Sequence, residues 1–233
     1  MQLFYEPNIL SNGGLLSPEE SAHCVRVLRH KTGDAIHIID GKGHLINAII
    51  KVASPKACEI EINEIKKEPP SSVQCHIAIA PTKNIDRTEW FLEKSTEIGI
   101  EIITPIIVKN SERRIIKPAR LEKVITSATK QSGSYWRPIL QPLISFEEFI
   151  NIPFVGDKFI AHCHNGQEPH LKNIAQKNKN VLVLIGPEGD FTLKEVERAK
   201  EKGFKTVSLG TKRLRTETAA LAASHIIRLI NEE

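Results

Sequence analysis

The sequence predicts an α/β fold built on a parallel sheet, preceded by a small, mainly antiparallel β domain. Three observations carry this expectation. Before residue 66, β-rich runs are separated by turn signals; after residue 72, apolar runs alternate with helical stretches; between them, residues 66–72 (KKEPPSS) interrupt both patterns with two prolines and two serines. The expected domains are therefore residues 1–70 and 71–233.

In chain order, residues 17–30 predict the one helix of the first domain. Ser17 is its N-cap, Pro18 its first helical residue and Glu20 the partner that closes a capping box. Residues 35–40 (AIHIID), 45–52 (LINAIIKV) and 57–65 (ACEIEINEI) read as strands between Gly-Lys-Gly and Ser-Pro turns. Beyond the boundary, residues 73–80, 102–108, 158–162, 181–185 and 205–209 predict buried strands. Residues 84–98, 118–131, 192–202 and 216–230 predict helices, and strands alternating with helices imply a parallel sheet covered on both faces. Thr192 and Glu195 form a second expected capping box, with Gly203 where a left-handed C-terminal cap falls. The last helix is apolar on every side at residues 219–223 (AALAA), continued by Ile226, Ile227, Leu229 and Ile230, so it needs cover on more than one face. A partner subunit or deep burial within the chain would supply it.

Composition narrows the function classes. A 40% hydrophobic and 26% charged chain is that of an ordinary globular protein, and no apolar run is long enough to span a bilayer. The opening MQLFYEPNIL lacks the basic region and apolar core of a secretory signal, which makes a cytoplasmic location the expectation. Cys24, Cys58, Cys75 and Cys163 are widely spaced, pointing to reduced, mostly buried thiols rather than a disulfide framework or a zinc site. Of His162-Cys163-His164, only the two histidines would share a strand face, and no metal is expected there. Residues 1–70 hold 8 Lys or Arg against 9 Asp or Glu, whereas residues 71–233 hold 24 against 19. That basic excess suits a polyanionic partner as well as it suits any basic enzyme.

Two glycine-bearing strand exits carry the chemistry. LIGPEGDF (residues 184–191) follows the first, and SLGTKRLRTETA (residues 208–219) follows the second. Neither is a phosphate-binding GK[ST] loop or a dinucleotide GxGxxG turn. Glycine lets backbone adopt unusual dihedrals and approach a ligand closely. Exits from two parallel strands would lie at one edge of the sheet, where open α/β folds bind ligands.

Gly186-Pro187-Glu188-Gly189, Leu209-Gly210 and Leu214-Arg215-Thr216-Glu217-Thr218-Ala219 together resemble the SPOUT methyltransferases. Within that class the chain is similar to the ribosomal RNA small subunit methyltransferase E family, which makes N3-methyluridine in 16S rRNA. His23 to Arg29 (HCVRVLR) with Gly33-Asp34, residues 94–98 followed by Thr104-Pro105, and Gln131-Ser132-Gly133 agree in order along nearly the whole chain. The resemblance implies a trefoil-knotted α/β methyltransferase domain that binds S-adenosylmethionine, a PUA-like RNA-binding barrel over the first 70 residues, and a homodimer. The knot is owed to the resemblance alone, since chain connections normally avoid threading. The chain departs from the family pattern at Asp190, where a glycine is usual, at Lys212-Arg213, where Arg-Ile is usual, and at Ser134, where an arginine is usual. Arg137 is the candidate replacement for that last charge.

On this reading Leu184, Gly186, Pro187, Glu188, Gly189, Leu209, Gly210, Leu214 and Thr216 would bind the cofactor. Arg215 would stabilise charge developing on the uracil carbonyls, with Arg213 or Lys212 behind it. Glu217 and Glu188 are the carboxylates in position to serve as general base, if burial raises their pKa; for Glu217, a place near the start of the last helix offers the alternative of simple dipole stabilisation. Arg26, Arg29 and Lys31 would touch RNA phosphates, against the alternative of a solvated helix face. The competing functions are a SPOUT enzyme acting on tRNA or another RNA, and a non-catalytic RNA-binding protein.

Overall fold

A computed structural model describes residues 2–164 and 168–232. The chain divides into two compact units, one of residues up to Pro70 together with Thr126–Arg137, the other of Ser71–Ile125 and the remainder from Pro138. No described helix is long and apolar enough to cross a membrane.

The first unit contains β1 (Leu3–Tyr5), α1 (Pro18–Ala22), a π-helical turn (His23–Val27), β2 (Ala35–Ile39), β3 (His44–Val52) and β4 (Glu59–Lys67). The strands form one sheet in the order β1-β2-β3-β4. β1 runs parallel to β2, and the two other pairings are antiparallel. Alternation buries Phe4, Ile36, Ile38, Ile46, Ala48 and Ile50 in a shared core. β4 buries only Ile60 and Cys58 lies just before it; its remaining residues carry five charges on the open edge, which disfavours pairing with another chain.

The helix expected over residues 17–30 is α-helical only as far as Ala22. Leu28 N–H then bonds His23 O and His30 N–H bonds Cys24 O, five and six residues back, and Arg29 turns the chain with φ 60°. A left-handed stop at arginine carries no glycine signal, so the sequence pattern ran on past it. The Ser17 cap forms, but its box does not close. Ser17 N–H is taken by Glu6 Oε2 at 3.0 Å, and Glu20 is drawn instead to Lys130 Nζ at 2.6 Å. Lys130 belongs to the segment Thr126–Arg137 that this unit contains; Trp136 in the same segment packs over Gly43 and donates its indole N–H to the carbonyls of Glu68 and Pro69. Arg137 lies over the Tyr5 ring, 5.7 Å from its centroid, and donates to Thr126 Oγ1.

The second unit contains β5 (Cys75–Ile79), α2 (Ile85–Ile98), β6 (Ile102–Ile107), α3 (Pro118–Ser132, in its first half), β7 (Ile139–Leu140), β8 (Ile144–Ser145), α4 (Phe146–Phe149), β9 (Asp157–Ala161), α5 (Leu171–Ile174), β10 (Val181–Ile185), α6 (Leu193–Glu201), β11 (Lys205–Val207) and α7 (Thr216–Asn231). Its sheet runs β11-β9-β10-β5-β6-β7 with every pairing parallel, and β8 pairs with β6. Period-two alternation splits β10 between two cores: Val181, Val183 and Ile185 face α2 and α7, whereas Leu182 and Leu184 face α4 and α6. β7, β8, α4 and α5 are too short to leave a periodic signal in the sequence.

The α6 capping box closes as expected, Thr192 Oγ1 accepting from Glu195 N–H and Glu195 returning to Thr192 N–H. Gly203 follows with φ 83°. The apolar α7 buries Ala220, Ala223 and Ile227 against the sheet, and Leu229 stays 52% exposed on its opposite side.

Candidate active site

The β10, β11 and β9 exits meet at the carboxyl edge of the parallel sheet, as expected for an open α/β arrangement. They enclose a cavity of about 870 Å³ lined by residues 161–163, 186–188 and 207–216 together with Glu168, His170, Asp190 and Ala219. That volume is within the range of small-molecule and cofactor sites.

The GPEGD loop is fixed by hydrogen bonds from the exits of β5 and β6. Asn110, after β6, donates its amide to both Gly189 O and Asp190 O at 3.0 Å. Lys83, after β5, donates its backbone N–H to Glu188 Oε1 at 3.0 Å, and Arg113 holds that exit through the carbonyls of Thr82 and Lys83. Glu195 reaches from the α6 box to Lys109 N–H at 2.8 Å. None of these partners stood out in the sequence; their only signal was a position just beyond a strand of the sheet.

The glycines do not act as the pattern suggested. Neither Gly186 nor Gly189 has a positive φ; each is small because its surroundings are tight. A Cβ on Gly186 would lie 3.1 Å from the Phe191 ring, and one on Gly189 would lie 3.2 Å from Asn110 Cβ. The left-handed residue of the loop is Asp190, at φ 60°. Its carboxylate accepts from Phe191 N–H at 2.7 Å and from Cys163 N–H at 2.9 Å, tying the β9 exit to the β10 exit. Aspartate tolerates this conformation through such local bonds. Gly210, in the other loop, does use glycine's freedom, with φ 133° and open space where a Cβ would stand.

Of the expected ligand residues, Gly186, Pro187, Glu188, Leu209, Gly210, Leu214 and Thr216 line the cavity; Leu184 and Gly189 do not. Leu184 points into the core beside Phe191, because alternation puts it on the other sheet face from Ile185. Lys212, Arg213 and Arg215 line the cavity, are exposed, and their side chains make no hydrogen bond or ion pair with any described residue. Arg215 does not pair with Glu217. Glu217 is buried at 7% exposure outside the lining, its Oε1 3.9 Å from Arg87 Nε and its Oε2 without a partner among the described residues. Glu188, by contrast, is exposed rather than buried.

Cys163 is exposed, unlike the three buried cysteines, yet partial desolvation of its thiol, with the charge of Asp190 adding to it, raises its pKa. The His162 and His164 rings lie 5.4 Å apart, and His164 Nε2 bonds Phe191 O at 2.6 Å. Among the described residues no group of three or more His, Cys, Asp or Glu side chains gathers as a metal site. In the first unit Arg26, Arg29 and Lys31 are all exposed, on and just after the π-helical turn.

Comparison with known proteins agrees with this architecture. The family profile for an RNA methyltransferase domain matches residues 69–228, and that for an RNA methyltransferase PUA domain matches residues 16–63. A probable rRNA-methyltransferase from Porphyromonas gingivalis is 38% identical, covers 100% of this chain and 99% of its own, and superposes with a TM-score of 0.92. The ribosomal RNA small subunit methyltransferase E of Neisseria gonorrhoeae, solved bound to S-adenosyl methionine, is 29% identical over 98% of this chain and 97% of its own, with a TM-score of 0.85. The enzyme of the same name from Rickettsia conorii is 29% identical across 92% of this chain and 89% of its own. A matched catalytic domain, a matched PUA domain and relatives aligned end to end leave one conclusion: the chain belongs to the ribosomal RNA small subunit methyltransferase E family of RNA methyltransferases.

Proposed function

We propose that this protein transfers a methyl group from S-adenosylmethionine to N3 of a uridine in 16S rRNA of the small ribosomal subunit. The observation that carries the reading is the cavity at the sheet's carboxyl edge, walled by both glycine-bearing exits and bordered by three cations whose side chains are unpaired among the described residues. The cavity suits the cofactor: its volume is ample, Gly210 leaves open space, and in its wall lies the His162 ring, whose Nε2 has no partner among the described residues. Gly186, Pro187, Glu188, Leu209, Gly210, Leu214 and Thr216 would hold the cofactor, and Leu184 and Gly189 would act by fixing the loop from behind. When bound, it supplies an electrophilic methyl group on a sulfonium.

The uridine N3 lies between two carbonyls, and loss of its proton to solvent water would spread negative charge over both oxygens. Arg215 and Arg213 would stabilise that charge, Lys212 adding to the field, because their charges are uncompensated by any described carboxylate. Glu217 would orient the start of α7 beside Arg87 rather than remove the proton. Residues 1–70 would be the RNA-binding PUA-like domain, with Arg26, Arg29 and Lys31 on phosphates, and residues 71–233 the knotted SPOUT domain. The protein would act in the cytoplasm as a homodimer, the half-exposed side of α7 serving as a contact between copies.

The deciding experiment is methyl transfer from labelled S-adenosylmethionine to small-subunit particles, followed by nucleoside mass spectrometry. N3-methyluridine that disappears in Arg215→Ala, while cofactor binding persists, is the expected result; a fall on the order of 100-fold in rate corresponds to one lost charge-stabilising donor. Label entering only tRNA moves the substrate to another RNA, and absence of cofactor binding leaves an RNA-binding protein.

A further inference from the structure

His162 stands at the β9 exit with its side chain only 2% exposed, in the wall of the cavity. Its Nδ1 accepts a hydrogen bond from His164 N–H at 3.3 Å, so the lone pair is on Nδ1 and the proton of the neutral ring belongs on Nε2. Burial holds the ring's pKa down, outweighing the opposing pull of Glu168 and Asp190, which keeps it neutral. Its Nε2–H is therefore a fixed donor, and it is buried with no partner among the described residues. Leaving such a donor unsatisfied is costly, and buried polar groups in folded proteins are satisfied with few exceptions.

Glu168 Oε1 lies 3.8 Å from Nε2, beyond hydrogen-bond reach. Glu168 is itself oriented, because its other oxygen accepts from Thr206 Oγ1 on β11. The β9 exit thus presents a donor, and beside it in the same cavity wall stands a carboxylate acceptor held by β11. A ligand carboxylate there would be repelled by Glu168, and an ammonium group has no lone pair to offer His162. A group that accepts and donates at once fits both, and a hydroxyl does so.

We propose that His162 and Glu168 form a hydroxyl-recognition pair that binds the ribose diol of the cofactor. The inference rests on the cofactor reading above and adds a specificity element outside the two glycine-bearing loops. Carboxylates recognise ribose hydroxyls in dinucleotide sites by the same bond. Here the imidazole donor supplies the other half, so each hydroxyl oxygen gains a partner and the orphaned Nε2–H is satisfied.

The test is a cycle of protein and ligand changes read by calorimetric titration. The ligands are S-adenosylhomocysteine, its 2′-deoxy and 3′-deoxy analogues, and an inosine analogue that alters only the base edge. For the native protein, loss of the recognised hydroxyl is expected to weaken binding on the order of tenfold. In His162→Ala the parent ligand weakens by a similar factor, and removing the hydroxyl then costs nothing more. His162→Gln, which keeps an N–H donor, recovers most of the affinity. If His162→Ala does not fold, Glu168→Gln is carried through the same cycle.

Deoxy analogues that bind the native protein as tightly as the parent overturn the proposal, as does an equal hydroxyl penalty in native and variant proteins. Coupling that follows the inosine analogue instead assigns the pair to the adenine edge and overturns it equally. Native protein that binds no S-adenosylhomocysteine refutes the cofactor reading itself, a result distinct from all of these.

Discussion

Replacing Asp190 by glycine sets two opposing effects against each other at the centre of the site. Asp190 is held at φ 60°, where glycine is favoured over aspartate by about 1 kcal/mol. Against this, glycine removes the carboxylate that accepts from Phe191 N–H at 2.7 Å and from Cys163 N–H at 2.9 Å. Bonds to a charged acceptor are worth about 1.5 kcal/mol each at the low end of their range, the end appropriate to a half-buried carboxylate. The bonds win, and Asp190→Gly is expected to be less stable by about 2 kcal/mol. Asp190→Ala loses the same bonds and keeps the backbone cost, for a total of about 3 kcal/mol. Urea titration measures both, with lower midpoints at an unchanged slope. A glycine variant as stable as the native protein, or an alanine variant equal to glycine, refutes the reasoning.

Gly43→Ala is expected to destabilise the first unit by about 2 kcal/mol or more, because φ is 94° and the added Cβ would stand 2.6 Å from the Trp136 ring and 2.8 Å from Glu68 O. Thermal unfolding and the tryptophan emission report it together. His76, bonded to Thr104 Oγ1 in the sheet, has its pKa pushed down from 6.5 to about 4 by burial. The unfolded chain therefore takes up a proton between these values that the folded chain refuses. Stability is full above pH 6.5 and falls as pH drops toward 4, by about 3 kcal/mol in total; the difference between native and His76→Gln proteins across that window isolates it. Neutralising Arg26, Arg29 or Lys31 singly is expected to reduce the slope of log affinity for rRNA against log salt by about 0.7 to 0.9 each, read by filter binding over a salt series.

Much of the second unit was legible because its strands are buried on both faces. The apolar run 181–185 has the same extent as β10, and the Thr192 and Glu195 box fixes the start of α6. Signals of this kind are local: an apolar run, a capping pair and a glycine stop each lie within a few residues. Where a distant partner competed, local reading gave way. Glu20 left its capping box for Lys130, 110 residues away, and the helix expected to reach His30 unwound into a π turn ending at a left-handed arginine.

The sequence alone determined the alternating α/β order, the two loops that wall the cavity and the cations beside them, since each is written in contiguous residues. Only the tertiary structure decided that Glu217 is buried outside the cavity, that Asp190 and not a glycine makes the left-handed turn, and that His162 and Glu168 face one another there. Those outcomes depend on which strand lies beside which. In a parallel sheet, neighbours come from distant parts of the chain, and spacing along the sequence carries no record of their meeting.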